Sequence, residues 1–189
     1  MIHPSVEQFA QAMDFKGLAP CPQDGRWEIP TDSDICTEVE TLQLLFGFVR
    51  ALRPKVVVET GCNVGCASKV ICAALRANGD AGLLWSCDVE VEFIEAAYAR
   101  LGRPVAGWII THESGTELVK RVPDADLYWI DSSDGSRMAE LHWLREHGKK
   151  GAVVLTHDTN LIGHVTEVHR TLPNWVLLPG PRGLGIATL

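Results

Sequence analysis

No apolar run in this sequence approaches the ~18–20 residues that a membrane-spanning helix needs; the longest, around Leu44–Val49, is far too short. Nor does the start, MIHPSVEQF, carry a basic region followed by an apolar one, so the reading expects no secretory signal and no membrane partner. Basic residues are outnumbered, 17 Lys and Arg against 24 Asp and Glu, which gives a formal charge of −7 and a pI near 5.4. That balance lacks the basic footprint of phosphate-backbone binding, so no nucleic-acid partner is expected. The six cysteines (Cys21, Cys36, Cys62, Cys66, Cys72 and Cys87) form neither paired CxxC knuckles nor a CxxxCxxC arrangement. They read as reduced, structural thiols of a cytoplasmic protein. What is present is ordinary: 46% apolar and 22% charged residues exclude collagen-like, low-complexity and wholly disordered chains. At 189 residues one domain is favoured, large enough to bury roughly 70% of its unfolded surface.

Two regions differ in pattern. In residues 1–34, Ser5 and Gln8 suit a capping box for a short helix carrying Phe9 and Met13. The stretch LAPCPQDGRWEIPTDSD then brings three prolines and many turn formers. It reads either as a passive linker or as an active-site lid containing Trp27. From Ile35 the chain becomes one domain, residues 35–189. Ile35, Val39, Leu42, Leu45, Val49 and Leu52 step by three or four, an amphipathic helix stopped by Pro54. KVVVETG follows as a buried parallel strand. Helices are then expected over Val64–Ala77, Val91–Leu101, Gly115–Arg121, Arg137–His147 and Leu161–Leu172. They alternate with strands at Leu83–Asp88, Val105–Ile110, Leu127–Asp131 and Ala152–Leu155. The last two strand-like runs, Trp175–Leu178 and Leu184–Leu189, are joined by too few residues for a helical crossover and must be antiparallel neighbours. The fold class is therefore α/β, an open, mostly parallel sheet with helices on both faces, with ligands expected at the carboxyl ends of the strands.

The first strand ends in Glu59-Thr60-Gly61-Cys62-Asn63-Val64-Gly65. Gly61 and Gly65 free the backbone for a tight turn and close approach by a ligand, although a plain strand–turn–helix also uses glycine. The dinucleotide GxGxxG is missing, and the acid before the first glycine suits a ligand with an ammonium group or ribose hydroxyls better than a pyrophosphate. Asp88, 23 residues after Gly65, ends the second strand. It is placed to accept hydrogen bonds from two ribose hydroxyls, or else to cap the next helix.

ExGxxxG, Asp88, DLYWIDSSD and GAVVLTHDT together resemble the class I S-adenosylmethionine-dependent methyltransferases, and within them the small-molecule O-methyltransferases. The resemblance covers roughly residues 35–189 and implies a Rossmann-like sheet in the order 3-2-1-4-5-7-6. It implies S-adenosyl-L-methionine held by Glu59, Gly61, Gly65, Asp88, Ser114 and Asp131, with Ser114 along the adenine or capping the following helix. Many such enzymes hold Mg²⁺ or another divalent cation on the strand-four Asp and an Asp-Asn pair after strand five. Here Asp131 and Asp158 match, but Thr159 stands where Asn would, and Asp134 replaces the family's frequent Lys base. Without a metal, catalysis falls to Asp131, Asp158 and a base, for which His157 is the first candidate, with His112 and His164 nearby. His142 and His147 read as surface residues. The expected function is methyl transfer to a hydroxyl oxygen of a small-molecule acceptor. A catalytically silent binding subunit of the same fold and a nicotinamide-dependent oxidoreductase are the other readings.

Overall fold

The computed structural model describes residues 37–79, 82–101, 107–160, 163–178 and 182–189. The N-terminal helix, the lid-or-linker segment with Trp27, and Cys21 and Cys36 lie outside these residues.

The first described helix, α1 (Val39–Leu52), buries Leu42, Leu45 and Val49 on one stripe. Arg53 ends it in the left-handed region, and Pro54 prevents continuation. Strand β1 (Val56–Thr60) follows, then α2 (Cys66–Ala77), β2 (Leu83–Asp88), α3 (Val91–Leu101), β3 (Trp108–His112) and α4 (Gly115–Arg121). The second half runs β4 (Leu127–Ile130), α5 (Asp134–His147), β5 (Val153–His157), α6 (Gly163–His169), β6 (Val176–Leu178) and β7 (Leu184–Thr188).

The seven strands form one sheet in the order β3-β2-β1-β4-β5-β7-β6. Strands β1 to β5 are parallel. β7 lies antiparallel to β5, with His157 opposite Leu184, and β6 is antiparallel to β7. The α/β class, strand order and closing hairpin therefore stand as expected. β1 and β4 are covered on both faces, so almost every residue in them is buried and apolar character is continuous rather than alternating. One layer packs α1 and α2 on the sheet through Leu42, Leu45, Ile71 and Leu84. The other packs α4, α5 and α6 through Leu118, Leu141, Leu144 and Val165.

Several boundaries differ from expectation; β5, for example, runs over Val153–His157 rather than Ala152–Leu155. β3 runs over Trp108–His112 rather than Val105–Ile110, because pairing with β2 extends to Asp88 opposite His112 and Trp108 Nε1 donates to Ser86 Oγ at 2.9 Å. α5 begins at Asp134 behind Ser133, three residues before the expected start, since the Gly135-Ser136 pair is accommodated in its first turn. α6 ends at His169 instead of Leu172. Cys62, Cys72 and Cys87 are buried free thiols; Cys66 is disulfide-bonded, unlike the reduced thiol expected there. Among the described residues, no helix is long and apolar enough to cross a membrane.

The order reverses at β1, which has β2 on one side and β4 on the other. At such a switch point the two following connections leave on opposite faces and open a crevice at the strand tips.

Candidate active site

The crevice is floored by the loop after β1. Gly61 sits at φ 72°, and a Cβ there would lie 2.5 Å from the Asp131 carbonyl oxygen, so glycine lets the loop press against the β4 tip. The backbone N–H groups of Gly61 and Cys62 donate to the Cys87 carbonyl at 3.0 and 2.9 Å. Asn63 N donates to Asp88 Oδ2 at 2.8 Å, and Glu90 N donates to Asp88 Oδ1 at 3.1 Å. Asp88 thereby ties the glycine loop to the start of α3, and its side chain also faces the crevice. Gly65 serves packing: at φ 82°, its Cβ would strike Ala97 of α3 at 2.9 Å.

Of the expected cofactor residues, Glu59, Gly65 and Ser114 are not among those that line the crevice. Glu59 is fully buried behind the loop, accepting from Ser68 Oγ at 2.6 Å and Ser86 Oγ at 2.5 Å. Burial pushes its carboxyl up to about 7, against those two hydroxyls. Ser114 is the N-cap of α4: its hydroxyl accepts from Glu117 N at 3.3 Å and donates to Glu117 Oε2 at 2.8 Å, a complete capping box. Its neighbours Glu113 and Gly115 line the crevice instead.

At the far end, the β4 and β5 tips bring Asp131, His157 and Asp158 together, their ligand atoms all within 4.8 Å of one another. Asp158 holds φ 62°, a left-handed backbone that turns its carboxylate toward Asp131 and His157. The His157 ring is fully buried and stacked on Trp129, the centroids 5.5 Å apart. Its Nδ1 is 3.0 Å from Asp131 Oδ1 and 3.5 Å from Asp158 Oδ1. Its Nε2 is 2.7 Å from Glu38 Oε2, a buried carboxylate just before α1. Burial by itself disfavours an imidazolium, but the surrounding carboxylates, Asp131 foremost, overcome it and raise His157 to about 10. Burial likewise opposes ionisation of Asp131, and the His157 imidazolium, Arg137 and Arg182 nevertheless hold its carboxyl below the usual range.

Two arginines complete the cluster. Arg137, from α5, reaches Asp131 Oδ1 at 3.3 Å and Asp158 Oδ2 at 3.5 Å, and donates to the His157 carbonyl at 2.9 Å. Arg182, just before β7, meets both oxygens of Asp158, at 2.5 Å through Nε and 2.7 Å through Nη2. Three acids (Glu38, Asp131, Asp158) thus face three cations (His157, Arg137, Arg182). Beneath them Glu140 accepts from Thr60, Ser132 and Ser136 hydroxyls at 2.8, 2.7 and 2.8 Å, and burial raises its carboxyl. Sequence reasoning missed Glu38, Arg137, Glu140 and Arg182. The helical spacing of Arg137 and Glu140, which share one face of α5 three residues apart, was the available signal. His112 bonds the Val89 carbonyl at 2.9 Å, and His164 is exposed on α6; neither joins the cluster.

A cleft of about 290 Å³ runs from Asp88 and Glu90 over Gly61 and Asn63 to Asp131 and Arg182. A family model described as "Methyltransferase domain" matches residues 58–159. The fold is similar to the SAH-bound methyltransferase PaMTH1 of Podospora anserina, with a TM-score of 0.71, 14% identity, and 100% of this chain and 99% of that one covered. It is similar also to the O-methyltransferase TomG of Streptomyces achromogenes, involved in tomaymycin synthesis and solved in complex with SAM (TM-score 0.68, 18% identity, 82% of each chain). An O-methyltransferase of Bacillus cereus in complex with SAH gives 0.67 at 12% identity, again over 82% of each chain. Comparison with curated protein sequences finds no match.

Proposed function

The chain belongs to the methyltransferase-domain family, and from that premise we propose that it transfers a methyl group from S-adenosyl-L-methionine to a hydroxyl oxygen of a small molecule. The observation that carries this reading is the continuous cleft with an acid at each end. Asp88 stands at the β2 tip, where ribose hydroxyls would bind, and Asp131 at the β4 tip, where a positive sulfonium would sit. Gly61 and Asn63 line the floor of the cleft, and a Cβ at Gly61 would strike the Asp131 and Ser132 backbone at 2.5–2.9 Å and push the loop off the β4 tip. When bound, the cofactor supplies an electrophilic methyl group.

The chain's own residues bind and orient. Asp131 Oδ1 is engaged by His157 and Arg137, while Oδ2 has a long 3.4 Å contact from Thr37 Oγ1 and is left to orient the acceptor hydroxyl. Alignment of this kind can supply ~7–11 kcal/mol of the barrier. His157 and Asp158 act as positioning residues. An imidazole whose proton is held by three carboxylates does not take another from the acceptor at neutral pH. The oxidoreductase reading would place a pyrophosphate against this acidic cleft, which disfavours it, and the silent-subunit reading predicts the same binding without turnover.

The test is calorimetry with S-adenosylhomocysteine and, in parallel, with NAD. One-to-one binding of the former alone is expected. Binding of NAD alone, or of neither, would sink the assignment.

A further inference from the structure

The resemblance to metal-dependent relatives raises the question of whether Asp131 and Asp158 can hold a divalent ion. Such ions need oxygen ligands at ~2.0–2.6 Å with their lone pairs turned to the metal. Here those oxygens are already engaged by cations of the chain itself. Arg182 lies against both oxygens of Asp158, with Nη2 donating a charge-assisted hydrogen bond to Oδ2 at 2.7 Å and Nε 2.5 Å from Oδ1. Arg137 lies between Asp158 and Asp131, with its side chain almost fully buried. Arg182 also approaches Glu38 Oε1 at 3.7 Å. A divalent ion entering here would have to displace a guanidinium from a largely buried cluster in which, among the described residues, three acids already face three cations. The residues do not fit a metal.

We propose that the Arg182 guanidinium, carried to the site by the loop before β7, stands in the place of a divalent cation. The reaction end of this site is then metal-independent by construction. The closing hairpin belongs to the active site as well as to the sheet, because it delivers the charge that neutralises Asp158 and borders the acceptor end of the cleft. This deepens the methyltransferase reading and rests on it for why a cation matters there, but its test needs no methyl acceptor.

The experiment is a Mn²⁺ titration followed by electron paramagnetic resonance on the full chain. Wild type is expected to leave the free Mn²⁺ signal unchanged. Arg182→Met, which uncovers both oxygens of Asp158, is expected to bind Mn²⁺ roughly tenfold or more tightly than wild type, and adding Asp158→Asn should abolish that gain. Arg182→Gln keeps a hydrogen-bond donor for Asp158 and replaces the Met variant if circular dichroism shows the latter unfolded. Stoichiometric Mn²⁺ binding by wild type would overturn the proposal, as would a folded Arg182 variant with no gain. S-adenosylhomocysteine calorimetry on the same samples keeps the two readings apart. Failure to bind that ligand counts against the methyltransferase assignment, whereas the Mn²⁺ result decides the role of Arg182.

Discussion

Asp88 has a structural task in the loop and, in the function we propose, a binding one as well. Each carboxylate oxygen accepts one backbone N–H, from Asn63 or Glu90, which leaves each a second lone pair, and Asp88 lines the cleft. Replacing it by alanine therefore loosens the glycine loop and, on the proposed function, removes the charge-assisted contacts to the ribose. Asp88→Ala is expected to weaken S-adenosylhomocysteine binding by roughly 1.5–3 kcal/mol, more than tenfold, as read by calorimetry. An unchanged affinity would show that the β2 tip does not hold the ribose. Asp88 was legible in the sequence because a strand tip and a glycine loop in register imply their own geometry. Glu38, Arg137 and Arg182 were not. Nothing in the sequence around any of them points to His157 or Asp158, and only the tertiary fold brings residues so far apart in sequence together. His157 was legible by position but not by chemistry, since nothing local announces the carboxylates that keep its proton.

At the scale of elements, the alternation of strand and helix was readable because hydrophobic period switches between continuous apolar runs and steps of three or four. The hairpin was readable because its connection is too short for a crossover. How α6 seats on that hairpin was not readable, since it depends on one absent side chain. His169 of α6 is buried over Gly185 of β7, and a Cβ at 185 would meet the ring at 2.7–2.8 Å. The ring cannot move far, because its Nδ1 is bonded to Thr156 Oγ1 on β5 at 3.2 Å. Gly185→Ala should therefore cost ~1–3 kcal/mol through overpacking alone. The urea midpoint should fall with little change in slope. Gly135→Ala, on α5 with open space around its Cβ, is the matched control and should be neutral or stabilising. Equal effects at the two positions would mean that α6 does not rest on β7 as described.

Over the whole molecule, the buried titratable groups set a pH profile whose limbs have different owners. On the acid side the terms oppose one another. His169 is held below its ordinary value by burial, so its contribution is lost as pH falls below about 6.5. Glu59, raised by burial to about 7, keeps in the folded state a proton that the unfolded chain releases near 4.5, so it erodes stability as pH rises through that interval. These two slopes have opposite signs and partly cancel. From pH 7 to 9 nothing comparable among the described residues offsets His157. Its folded value of about 10 lies above the ordinary 6.5, so the folded chain keeps a proton that the unfolded one has lost. Its contribution is complete below about 6.5 and declines through the whole interval up to about 10. One retained proton gives a slope of at most ~1.4 kcal/mol per pH unit. Urea denaturation at pH 7, 8 and 9 is therefore expected to show stability falling steadily toward that limit. Above about pH 9 the fall should steepen, because the Cys62, Cys72 and Cys87 thiols are held protonated by burial and ionise only on unfolding. The three carboxylates around His157 need its proton to remain buried together, so the alkaline limb reports on the whole cluster. Stability that stays level between pH 7 and 9 would mean that His157 is neutral in the folded protein. In that event, among the described residues, Arg137 and Arg182 would remain as the counter-charge of Asp131 and Glu38.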